Sequence, residues 1–287
     1  MAEQRADLFS ELPHIIVLLL LLLVLLFVAT KFKYVHCSQL PQWCNVYCNI
    51  AGHSRVAIIT GEGDDAGMGN GDTLERILNQ NSIGTLVTRL KTNEISSGNL
   101  EDYELVVFTQ SKNISLRSAL AIRDYLNKGG SLLWEGDALS QTTFTEDDQA
   151  YLLAENRSSP GEYEAYVKLL NYSQGFGVLG QMVGIRYVAS LNTVNFTGVT
   201  PRILSVKDNL ITGGIKNFEL ETPVPFAQVV EDPKAVTKVM IMNVTKKEYA
   251  FILEKKLVGR VVYTAIPVEY LDSKTLLLNL FEYMVTC

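Results

Sequence analysis

The 287-residue chain is poor in histidine, cysteine and proline, with three, four and eight of each. The histidines are His14, His36 and His53, and all three precede the first recognisable strand of the body. A Ser-His or Cys-His pair therefore finds no imidazole within residues 55–287. Basic excess is missing too, since Lys+Arg 25 against Asp+Glu 31 leaves a net charge of −6. Nucleic-acid binders need a basic face to neutralise phosphates, so that partner class is excluded. Eight Pro and 20 Gly without a period rule out collagen-like and low-complexity structure. Apolar residues are not scarce. At 47% hydrophobic and 20% charged, the chain is too rich in them for a disordered tail protein.

One apolar run stands out, Ile15 to Thr30, IIVLLLLLLVLLFVAT, with no charge, Gly or Pro. As a helix it covers roughly 24 Å, at the short end of the membrane-spanning range. Pro13 suits the first turn of such a helix, where its missing N–H is harmless. A cleaved signal would have a shorter apolar core and a small-x-small cleavage site. Phe27-Val28-Ala29-Thr30-Lys31 is a poor site of that kind. A lipoprotein signal needs a small residue before its Cys, yet Cys37 follows Tyr34-Val35-His36. A soluble core helix would carry a polar stripe. The expectation is a tail over residues 1–13 and an uncleaved single-pass anchor over 14–31, placing the protein in the cell membrane.

Orientation draws on opposing signals. Arg5 before the span against Lys31 and Lys33 after it leans toward a cytoplasmic body. Five N-x-[ST] sequons lean outward, at Asn113, Asn156, Asn171, Asn195 and Asn243. So do four cysteines in an anchored chain. The expected placement is extracytoplasmic.

Residues 32–54 form a cysteine-containing neck, with Cys37, Cys44 and Cys48 interleaved with Trp43 and Tyr47. Cys287 ends the chain. An even count outside the cytoplasm suggests two disulfides, one within the neck and one to the C-terminus. Zinc held with His36 or His53 is an alternative, but the cysteine spacings miss the common pairs. Free buried thiols are a third reading.

From Arg55 to Cys287 the pattern alternates strand and helix. RVAIIT (55–60) reads as a buried parallel strand, and TLVTRL (85–90), ELVVFT (104–109) and SLLWEG (131–136) read as the next three strands. Asp72 with Glu75 reads as a capping box opening one helix, and Ser115 caps a second that ends at Gly129-Gly130. Residues 138–200 read as an inserted helical cap. Strands return near 226–230, 236–242, 250–253 and 260–265, and a last helix spans about 273–285. The fold class is α/β: a doubly wound, mostly parallel sheet preceded by one transmembrane helix.

Three segments in this order resemble the class I glutamine amidotransferase-like superfamily, including its ThuA-like branch. IRDYLNKGGSLLWEGD (122–137) resembles the helix, turn and strand leading to the nucleophile elbow. DNLITGGIKNFEL (208–220) resembles the hP-[IL]-[TF]-x-G-[IL] segment. GRVVYTAIPVEYL with the helix after it (259–285) resembles the last strand and C-terminal helix. Catalytic members carry a Cys on the elbow and His-x-Glu after the last strand. This sequence has Glu135-Gly136-Asp137 and Pro267-Val268-Glu269 instead, so the resemblance implies a non-catalytic branch.

The loop GEGDDAGMGNG (61–71) is not G-x-G-x-x-G, and its acids would repel a pyrophosphate. Calcium-loop order is absent as well. An acidic, flexible surface loop is expected, with no cofactor and no metal. In an open α/β sheet Glu62, Asp64, Asp137 and Glu269 would still converge beyond the strand ends. Two functions follow. One is a binding or scaffold module for a protein complex or a glycan, with a protein partner or a second copy of the chain. The other is a carboxylate- or metal-dependent hydrolase of surface glycans using Glu62, Asp137 and Glu269.

Overall fold

The structure, a computed structural model, describes residues 3–31, 34–35, 40, 42–61, 63, 66–81, 85–155, 162–196, 199–220, 223–244 and 247–285. Contacts divide the chain into an N-terminal unit reaching His53 and a body, Ser54–Val285.

The N-terminal unit holds α1 (Glu3–Lys31) and α2 (Trp43–Ala51). Pro13–Lys31 is long and apolar enough to cross a membrane, with mean hydropathy 2.8 and only 6% of it buried. The helix starts well before Pro13, which lies inside it rather than in its first turn. A proline there removes one intrahelical donor. Four residues apart on α2, Trp43 and Tyr47 share a face and pack against Leu26 and Phe27. The Trp43 indole N–H donates to Thr30 Oγ1 at 2.9 Å. Cys44 and Cys48 are both disulfide-bonded. Cys37 and Cys287 lie outside the described residues.

The body opens with β1 (Arg55–Thr60), α3 (Gly71–Asn81), β2 (Leu86–Lys91), α4 (Ser97–Leu100), β3 (Leu105–Phe108), β4 (Asn113–Ser115), α5 (Leu116–Asn127) and β5 (Ser131–Glu135). Next come β6 (Gln141–Thr143), α6 (Glu146–Glu155), α7 (Glu162–Tyr172), α8 (Gly177–Val183) and β7 (Ile185–Asn192). The rest comprises β8 (Arg202–Ser205), β9 (Phe218–Glu219), β10 (Pro225–Glu231), β11 (Thr237–Val244), β12 (Lys247–Lys256), β13 (Arg260–Thr264) and α9 (Lys274–Met284). The fold is mixed α/β around a large central sheet, ordered β2-β1-β3-β5-β13-β12-β11-β8-β9. β2, β1, β3, β5 and β13 run parallel. β12, β11, β8 and β9 extend that half with antiparallel pairings.

The inner parallel strands β1, β3, β5 and β13 are near-continuous apolar runs because both their faces are covered, whereas β2 at the edge is mostly exposed. Ile59, Phe108 and Trp134 pack on one face with Leu120 and Ile122 of α5. Ile58, Val107 and Leu133 pack on the other with Leu78 of α3 and Leu280 of α9. Local chemistry sets the helix starts. Ser115 Oγ accepts Ser118 N–H at 3.1 Å and opens α5. At α3 the cap is Asn70, whose Oδ1 accepts Thr73 N–H at 2.9 Å, and not Asp72. Asp72 sits inside the first turn and pairs with Arg89 of β2. Within the segment 138–200, β7 pairs antiparallel with β10 as a separate ribbon.

Tyr125 closes the turn between α5 and β5. Its hydroxyl meets Tyr103, Glu104 and Ser131 main-chain groups, all at 3.1 Å. Removing it takes away these hydrogen bonds, while Ser131 N–H keeps Glu104 O at 3.3 Å, a loss of about 0.5–1.5 kcal/mol. Tyr125→Phe is therefore expected to destabilise the body by that amount in urea unfolding followed by Trp134 fluorescence. An unchanged midpoint would refute the role.

Candidate functional site

β1, β3, β5 and β13 all point their carboxyl ends the same way, which is where open α/β sheets place ligands. Four loops leave from there: residues 61–70, 109–112, 136–140 and 265–270. Neighbouring strands put Glu135 opposite Thr264, and Phe108 opposite Trp134 sets Thr109 beside Glu135. Thr109, Glu135 and Thr264 are each 0% exposed. They form a polar rung across the apolar sheet.

Glu135 is the unusual member. By strict geometry neither of its oxygens has a hydrogen-bond donor, although the Thr109 hydroxyl and the Val268 main chain lie near enough to draw its value down in part. Burial lifts its carboxyl well above the usual range, and the Glu269 charge lifts it further. Burial thus favours its neutral form. Thr109 Oγ1 donates to Glu269 Oε1 at 2.9 Å. The same oxygen accepts the Asn70 amide at 2.6 Å.

The loop after β1 is bound down by three consecutive amides. Met68 N–H donates to Asp137 Oδ1 at 2.6 Å. Gly69 N–H donates to the Tyr270 hydroxyl at 3.1 Å. Asn70 N–H takes Glu269, as above. The second Asp137 oxygen accepts from Ser190 of β7 at 3.3 Å. A Cβ on Gly67 would stand 2.7 Å from Asp137 Oδ1, so glycine is needed for this approach. Within residues 66–71 Met68 is buried, while Gly67 and Asn70 are exposed; the loop's own acids Glu62, Asp64 and Asp65 lie outside the described residues.

The elbow after β5 is tipped by Gly136, with φ +59. No side chain stands at the position a nucleophile would occupy. A Cβ there would meet Met68 Cβ at 3.1 Å and Pro267 Cδ at 3.5 Å. Below the elbow, Tyr263 donates to Gly136 O at 2.9 Å. Trp134 packs on Phe176 and Tyr263, with centroids 4.3 and 5.8 Å away.

Of the acids singled out in the sequence, Asp137 and Glu269 hold amides two residues apart on one loop. Glu62 and Asp64 lie outside the described residues. Glu135 was missed as a site residue. Its signal was a lone charge closing the apolar run SLLWE, just before a glycine. Among the described residues, no three His, Cys, Asp or Glu side chains gather to hold a metal. A cavity of about 400 Å³ lies elsewhere, near α8, β7 and β10, lined in part by Gln174, Gln181, Arg186 and Glu231. Among the sequons, Asn171 is exposed, while Asn113 on β4 and Asn243 on β11 are half-buried. Asn195 lies in a 3-10 turn, and Asn156 falls outside the described residues.

No protein-family profile and no curated protein matches the sequence. Solved structures do resemble it. A ThuA-like protein from Bacteroides uniformis superposes with TM-score 0.56 at 11% identity, covering 81% of this chain and 91% of that one. A β-galactosidase from Bacillus circulans sp. alkalophilus gives 0.52 at 13%, over 80% of this chain and 31% of that one. The mmIFT52 N-terminal domain gives 0.50 at 13%, over 82% and 98%. At these identities the likeness is one of fold. This chain spans about a third of the β-galactosidase.

Two outcomes are expected. A native carboxyl value raised above its unfolded one adds stability below the unfolded value and loses it as pH climbs through the native one. Glu135→Gln should therefore flatten the decline in unfolding free energy from about pH 4 upward; identical slopes for the two proteins would count against a neutral Glu135. Gly69, at φ +110, sits where side chains are strained. Gly69→Ala should cost about 1–3 kcal/mol and speed amide exchange at residues 66–71. Unaltered exchange there would show that the loop is held otherwise.

Proposed function

We propose that the chain is a membrane-anchored, extracytoplasmic member of the non-catalytic amidotransferase-like branch. It acts as a binding or scaffold module for a protein complex or a glycan. One observation carries this reading: the strand-end acids are bonded to the protein's own loop amides, beneath an elbow tipped by Gly136. A carboxylate that accepts a backbone amide at 2.6 Å is committed to holding the loop. Met68 packs over the elbow, its Cβ 3.1 Å from where a side chain on Gly136 would begin. The ThuA-like neighbour supports the fold half of the reading. The apolar Pro13–Lys31 helix supports the anchor. The disulfide-bonded Cys44 and Cys48 support an oxidising compartment.

A hydrolase would need free carboxylates in an open cleft, so turnover of aryl β-galactosides lost in Glu269→Gln would overturn the module. Glycosidase treatment of the native chain tests orientation. A mass decrease mapping to Asn171, with Asn113 and Asn243 unmodified, is expected. An unchanged mass with cysteines open to alkylation would place the body in the cytoplasm.

A further inference from the structure

The neck carries a feature the anchor alone does not require. Residues 34–54 contain no Asp, Glu, Lys or Arg, in a chain where 20% of residues are charged. Inside this stretch α2 has two faces. Trp43 and Tyr47 are buried against Leu26 and Phe27. Phe27 and Tyr47 rings lie 4.8 Å apart. Thr30, with its hydroxyl donating to Leu26 O at 2.9 Å, receives the Trp43 indole. On the outward side Val46 is 45% and Ile50 68% exposed.

The contacts fix the depth of α2. Leu26, Phe27 and Thr30 belong to the last turns of the apolar segment that ends at Lys31. At 1.5 Å per residue they lie within roughly 8 Å of its end. That is the depth of lipid headgroups and upper acyl chains, where Trp and Tyr concentrate. A helix held there meets lipid on its outer side, and an uncharged face on which Val46 and Ile50 flank Asn49 suits that medium.

We infer that α2 is an interfacial helix whose Val46 and Ile50 side chains enter the lipid surface beside the anchor. The inference rests on the anchor reading above. Its occupant is phospholipid, since the exposed face continues directly from the span.

The test uses the full chain in phosphatidylcholine vesicles, with Ile50→Trp introduced in a Trp43→Phe background. Trp134 is 0% exposed in the body and serves as an internal, unquenched reference. Phospholipids brominated near the top of the acyl chain should quench the introduced indole by roughly half, and aqueous iodide should quench it several-fold less than free tryptophan. Val46→Trp should behave alike. Full iodide quenching without bromine quenching, in vesicles that retain the protein, overturns the interfacial helix and leaves the anchor intact. A chain that fails to float with vesicles overturns both.

Discussion

Main-chain amides that leave water must find acceptors, and the loop beyond β1 is organised around three of them, one buried, one half-buried and one exposed. Met68, Gly69 and Asn70 present consecutive N–H groups to Asp137, Tyr270 and Glu269. The donors follow β1, while the acceptors follow β5 and β13. One loop thereby joins segments separated by up to 201 positions in the chain. Losing a buried acceptor costs about 1–3 kcal/mol. Surface ion pairs such as Arg202 with Glu219 contribute about 0–1 kcal/mol. The order of the strand ends therefore depends on these amides and on the glycines that let them approach.

Glu135 fits the same frame. Burial and the neighbouring Glu269 both disfavour a charged carboxylate at its position, against a smaller opposing pull from Thr109 and the Val268 main chain. Glu269 Oε1 meanwhile accepts from the Thr109 hydroxyl and the Asn70 amide. Two strand-end acids, Asp137 and Glu269, accept amides of the loop after β1. A fold of this kind does not by itself specify a function.

Much of the scaffold was legible in the sequence. β1, β3, β5 and β13 stood out because strands covered on both faces read as unbroken apolar runs. α5 stood out through its Ser115 cap and closing glycines. Less was visible where elements are short. α8, GVLGQMV, carries two glycines over seven residues, too few for a helical period to emerge. β8 and β9 hold four and two residues and gain their pairing from β11 and from each other. The start of α3 was misread because Asn70 and Asp72 are both good caps, and only the Arg89 partner decides between them. At the site, Asp137 and Glu269 were visible as strand-end acids. Their acceptor role was not, because it depends on a loop brought in by the fold. Glu135 was hidden by its place at the close of a strand, where a charge ordinarily reaches water.

The two borders of the central sheet differ from its middle. β2 lies at one, with Arg89 and Lys91 along it, and β9 at the other is two residues long. Charged or very short borders discourage strand recruitment from another polypeptide. Growth of the ladder into fibres or swapped dimers is blunted at both rims. Association with other molecules then falls to side-chain surfaces, whose shape can diverge while the hydrogen-bonded framework stays constant.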